Sequence, residues 1–161
     1  MALNSASTSM SLSWAQELAT SGYNPVTQGP DSLSLSISPA LTGSNPANVL
    51  YTETRTLSAS GSYTYDFNNG SLSTLLGQAL TMTRVFSIAI SCSSGTIVYQ
   101  PGATNGLEWF LGGTSPTITI PAGAGFLFST PTHQVVSGTD KTITVSSAAG
   151  ATYKIAIIGG Q

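Results

Sequence analysis

From Asn48 onward, apolar and polar positions alternate in short runs: "NVLYTETRTLSA", "GSYTYDF", "RVFSIAIS", "GTIVYQ", "GLEWFLG", "PTITIP", "GFLFST", "KTITVSSA" and "TYKIAII". A period of two sends successive side chains to opposite faces of a strand. Phe86, Ile88 and Ile90 are therefore expected on one face and Val85, Ser87 and Ala89 on the other, with Ile118 and Ile120 opposite Thr117 and Thr119. β-branched and aromatic residues fill the runs, while Gly, Pro, Asn and Ser separate them, as on pleated, half-buried strands joined by turns. About eight or nine such strands predict an all-β domain over residues 48–161, an antiparallel β-sandwich of jelly-roll type. Within it "PTITIPAGAGFLFSTP", Pro116 to Pro131, reads as two sandwich strands and their Gly-rich corner.

Residues 1–47 have a different texture, rich in Ser, Thr, Asn and Pro. They read as an extended N-terminal arm with a helical turn or two at "SLSWAQELAT" and a strand from Ser32 to Ser38, where Leu33, Leu35 and Ile37 share a face opposite serines. In the body, "NNGSLSTLLGQALTMTRV" spaces Leu72, Leu75 and Leu76 like a helical turn, but Gly77 follows at once. That segment is expected to be a short turn or loop packing its leucines onto the sandwich.

Composition sharpens the functional picture. Only 6% of the 161 residues are charged, against about 25% in an average soluble domain. The polar surface must come from the 25 Ser and 22 Thr. A free-living enzyme usually carries enough charge to repel its neighbours, so an uncharged hydroxyl surface suits a protein packed against others. With a net charge of −2 and Arg55, Arg84, Lys141 and Lys154 scattered, the chain lacks the cation cluster that nucleic acid requires. The lone Cys92 in "SIAISC" cannot form an internal disulfide and reads as a small buried residue. The opening "MALNSASTSMSLSWAQELAT" lacks a basic, apolar signal pattern, and no apolar run reaches the roughly 20 residues of a membrane span. The expected setting is therefore a cytoplasm, with no membrane partner.

Candidate chemistry is sparse. His133 is the only histidine and Asp140 follows it by seven residues, but no nucleophile-elbow motif surrounds any serine. One His and one Cys do not make a zinc or redox-metal site, and no calcium loop appears. The six acids are scattered, with Glu53, Asp66, Glu108 and Asp140 in the body, so no glycosidase pair is legible. "PAGAG" lacks the strand, helix and lysine context of a phosphate loop. The glycosylation sequon at Asn69 would not be used in a cytoplasm. Exposed aromatics of a carbohydrate-binding module could be drawn from Trp109, Tyr63, Tyr65 and Tyr99. No catalytic, cofactor or metal residues are assigned and no enzyme is expected; Trp14 and Trp109 are the candidate partner contacts.

The order of pieces from residue 62 to residue 159 resembles a family of head decoration, or cement, proteins of tailed bacteriophages. "YDFNNGSLSTLLGQALTMTRVFSIAI" is similar to that family's polar turn, short Leu-Gly stretch and strand with Arg-Val: here Asn69-Gly70-Ser71, Leu76-Gly77 and Arg84-Val85, with Asn69 where the family has Asp. "TITIPAGAGFLFSTP" resembles its Pro-x-Gly-Gly corner, although the doubled Gly is here Gly123-Ala124-Gly125. "TDKTITVSSAAGATYKIAIIGG" resembles its terminal strand pair. The resemblance implies a jelly-roll virion protein made in the host cytoplasm. It would form a homotrimer on the outer capsid surface and glue neighbouring major capsid subunits without a cofactor. The alternative is a receptor- or carbohydrate-binding module of a phage fibre or spike.

Overall fold

The computed structural model describes residues 7–18, 26–39, 44, 46–73, 77–108, 111 and 116–161. Every regular element among them is a strand: β1 (Thr8–Leu18), β2 (Val26–Ile37), β3 (Val49–Asp66), β4 (Leu72–Ser73), β5 (Ala79–Leu80), β6 (Arg84–Pro101), β7 (Ile118–Pro121), β8 (Gly125–Val135) and β9 (Thr142–Gly160). The fold is thus all-β, antiparallel and sandwich-like, as the alternation predicts.

The strands are fewer and longer than the runs suggest. "NVLYTETRTLSA" and "GSYTYDF" are one strand, β3, of 18 residues. "RVFSIAIS" and "GTIVYQ" merge into β6, and "KTITVSSA" and "TYKIAII" into β9. These pair antiparallel in the order β3-β9-β6, with β7 and β8 both on the far side of β6. β7 lies along Thr96–Tyr99 and β8 along Arg84–Ser91, so the two follow one another down β6 as a single interrupted strand. Six of the nine predicted runs are therefore three strands, each counted twice, while "PTITIP" and "GFLFST" are the separate strands β7 and β8. The ninth, "GLEWFLG", is not a strand where described: Gly106 makes one isolated parallel bridge to Thr142. Thr142 instead holds that loop, its Oγ1 donating to the carbonyls of Thr104 and Asn105 at 2.6 and 2.9 Å.

Each of these three strands is counted twice because each bends in the middle. A straight strand would separate Tyr51 from Tyr65 by roughly 45 Å at its usual rise, yet their ring centroids lie 6.0 Å apart. The sheet is folded over on itself. Val49–Leu57, Arg84–Cys92, β8 and Ala151–Gly160 form one layer. Gly61–Asp66, Thr96–Pro101, β7 and Thr142–Ser147 form the other, so the layers share their strands at a common corner. Tyr99 of the second layer lies 5.9 Å from Phe126 of the first.

Small residues mark the corner in every strand. Ala59 pairs with Ala149 and Gly61 with Ser147, and on the other side of β9 Gly95 pairs with Ala151. Between β7 and β8, Gly123 N donates to Cys92 O and Cys92 N to Ala124 O, at 2.8 and 2.9 Å. "SASGS", "SSGT", "SAAGA" and "PAGAG" are thus brought side by side. Ser60 (φ 56), Gly95 (φ 74), Gly123 (φ 79) and Gly150 (φ 92) take left-handed backbone there, a conformation suited to bulges and tight bends. "PAGAG" is accordingly the corner between two strands, β7 and β8, which follow one another along β6.

The core fills the fold between the layers, with Tyr65, Phe67, Ile88, Ile97, Tyr153 and Ile157 fully buried. A register shift between Val85 and Ser87 alters the predicted faces of β6. Phe86 is the extra residue, so Val85 joins Ile88 and Ile90 in the core and the Phe86 ring packs against His133, centroids 5.6 Å apart. "NNGSLSTLLGQALTMTRV" closes the open end: β4 and β5 form a small ribbon that buries Leu72 and Leu80. Leu75 and Leu76 lie outside the described residues.

β1 and β2 form a separate two-stranded sheet, with Leu12 opposite Leu33 and Met10 opposite Leu35. The predicted strand at Ser32–Ser38 lies mostly in β2. The helical turn at "SLSWAQELAT" does not form: Ser11–Leu18 is strand, with Ser11–Trp14 alternating Ser and apolar residues in register with Asp31–Ser34 and Gln16–Leu18 pairing with Val26–Gln28.

Candidate functional site

The one cluster of converging polar side chains among the described core residues sits on β3. Its sequence "VLYTETRTL" places Val49, Tyr51, Glu53, Arg55 and Leu57 on the same, inner face. Two charges thus occupy core positions of a strand, where each needs a partner. Glu53 supplies it: Oε1 accepts from Arg55 at 2.5 Å and Oε2 from Tyr51 Oη at 2.8 Å. Because β3 is doubled over, Tyr65 returns from the other layer and donates to the same Oε2 at 3.1 Å. Tyr65 Oη also meets Tyr153 Oη of β9 at 2.8 Å. The Arg55 guanidinium lies over the Tyr63 ring, 3.3 Å from its centroid, and Tyr63 stands edge-on to Tyr65 at 4.8 Å.

The tyrosines of this arrangement are held protonated. Burial, reinforced by the Tyr153 hydrogen bond and the Glu53 charge, pushes the Tyr65 hydroxyl far above its ordinary value. Burial and then the Glu53 bond do the same to Tyr51, and burial raises Tyr153. A nucleophilic tyrosine needs the opposite shift. Desolvation pulls Arg55 down, but Glu53, through its bond and its charge, leaves the guanidinium above its usual value and firmly charged. The Arg55 Nε is enclosed and makes no hydrogen bond.

The residues singled out by sequence fall elsewhere. Trp14 is in β1 opposite Asp31, beside a register shift between Trp14 and Gln16; Trp109 lies outside the described residues. His133 is in β8 against Phe86, while the Asp140 carboxylate accepts from the hydroxyls of Ser137 and Thr139 at 3.2 and 3.0 Å. Cys92 is buried at the corner, its thiol 3.2 Å from the Ser94 carbonyl. Among the described residues no three His, Cys, Asp or Glu side chains gather as a metal site. Of the aromatics considered for sugar stacking, Tyr65 and Tyr99 are buried and Tyr63 is covered by Arg55. The cluster on β3 was missed, although "YTETR" carries its signal: alternate polar residues that replace apolar ones on the buried phase of a strand.

Fold and cluster together define a folded-over antiparallel β-sandwich whose partly buried polar group ties its two layers together. No known protein family matches the chain, nor does any curated protein.

Proposed function

We propose that this protein is a virion structural protein, a decoration or cement protein that binds the outer surface of a phage head as a homotrimer and stabilises contacts between major capsid subunits. The observation that carries this reading is the distribution of charge. The Glu53–Arg55 pair is turned inward, and Lys141 pairs with Asp66 at 3.2 Å. The outer faces carry mostly hydroxyls, including the cross-strand pairs Thr56–Thr152 and Thr64–Thr144 at 3.0 and 2.9 Å, with the exposed Lys154 beside the first pair. Away from Lys154, such a face can be covered by another chain without stripping water from unpaired ions, a cost of several kcal/mol each. Symmetry would multiply a modest contact through avidity.

Co-sedimentation with assembled, undecorated capsids tests the reading. Saturable binding supports it, and removing residues 1–30 should weaken attachment while the β body stays folded. Failure to bind, together with glycan-array signals lost in Trp109→Ala, would replace it with the receptor-binding alternative. Light scattering should give about three times the 16.4 kDa chain mass; a monomer both in solution and on the capsid would remove the trimer.

A further inference from the structure

The two margins of the folded sheet are guarded differently. On one, the strands β7 and β8 carry Pro121 and Pro131 and are separated by the corner at Ala122–Ala124, devices that deny ladder hydrogen bonds to a newcomer. On the other, β3 has β9 as its only strand neighbour among the described residues and contains no proline over its 18 residues. A long strand margin of that kind is a template for strand addition.

We propose that the Glu53–Arg55 pair, with the tyrosines around it, is the guard of the β3 margin, and that it denies this margin to any added strand. Both side chains point between the layers, yet they keep 25% and 28% of their surface exposed. On a marginal strand that exposure lies along the open side. A strand added to Val49–Leu57 would lay its own side chains across that opening and strip the remaining water from both ions. Arg55 would suffer most, because its Nε already lacks an acceptor. Inward-pointing charge on an edge strand opposes pairing in this way. The tyrosines add a second barrier. By tying Glu53 to Tyr65 they keep β3 bent, so that no straight partner can pair along its full length. Association therefore goes through the faces of the sandwich. The inference holds whatever partner the faces take, so it can fail without the capsid reading failing.

The test is a full-length Glu53→Leu/Arg55→Met double variant, compared with the unsubstituted protein by circular dichroism and light scattering over a concentration series. A folded variant whose average mass rises about twofold or more above that of the unsubstituted protein, with faster thioflavin T response, is expected once the guard is gone. A folded variant with unchanged mass overturns the proposal. Should the variant not fold, hydrogen exchange on the unsubstituted protein decides. Amides of Val49–Leu57 should be equally protected at low and high concentration and on capsids. New protection confined to β3 on association would overturn it.

Discussion

Tyr65 joins both layers through a single oxygen, donating toward Glu53 and meeting Tyr153. Replacing it with Phe removes the hydroxyl and leaves the ring in place, edge-on to Tyr51 and Tyr63. Tyr65→Phe should destabilise the protein by about 1–2 kcal/mol, and Tyr65→Phe/Tyr153→Phe by less than the sum of the single changes, because the second removes a group already left without its partner. Urea denaturation of the four proteins measures this coupling; strict additivity would show that the two hydroxyls act independently. At this scale the sequence was partly legible. The alternation in "YTETR" marks Tyr51, Glu53 and Arg55 as one face, but that Tyr65 and Tyr153 join them depends on a bend that no local pattern measures.

The bend itself explains why the elements were only half readable. Gly, Ser and Ala clusters usually end strands, and here they occur in the middle of three strands that continue on the other side, and between β7 and β8. Strand chemistry is therefore legible on both sides of each cluster, while continuity across it is not. The difference lies in long-range pairing: β3 and β9 stay in register from Val49–Gly159 to Asp66–Thr142, through the corner. Two glycines at the corner make opposite demands on a side chain. At Gly95 a Cβ would overlap the Gly150 carbonyl and come within 2.9 Å of Ala151 Cα, whereas at Gly123 it would meet nothing within 4 Å. Gly123→Ala should therefore cost only the left-handed backbone penalty, about 1–2 kcal/mol. Gly95→Ala should cost well above that and shift the bend. Thermal denaturation of the two variants separates space from backbone conformation; equal losses would refute the distinction.

For the molecule as a whole, the raised tyrosines make a statement about alkali. A phenol held neutral by the fold binds its proton more tightly folded than unfolded, so its contribution to stability is complete below the unfolded value of about 10 and declines as pH rises beyond it. Tyr51, Tyr65, Tyr99 and Tyr153 are all shifted upward. Stability should thus fall above about pH 10, with tyrosinate absorbance near 295 nm appearing together with loss of β-sheet signal; ionisation of all six tyrosines before unfolding would contradict the buried cluster. The strand order has a further consequence during synthesis. β9 lies between β3 and β6, yet it follows all the other described strands in the chain. On the ribosome, β3 waits without a neighbour until residues 142–160 have emerged, so most of the sheet must close late and in one step. Nascent chains whose emerged part stops short of Thr142 should remain open to protease, and chains held on a linker that carries Gly160 past the exit should be resistant.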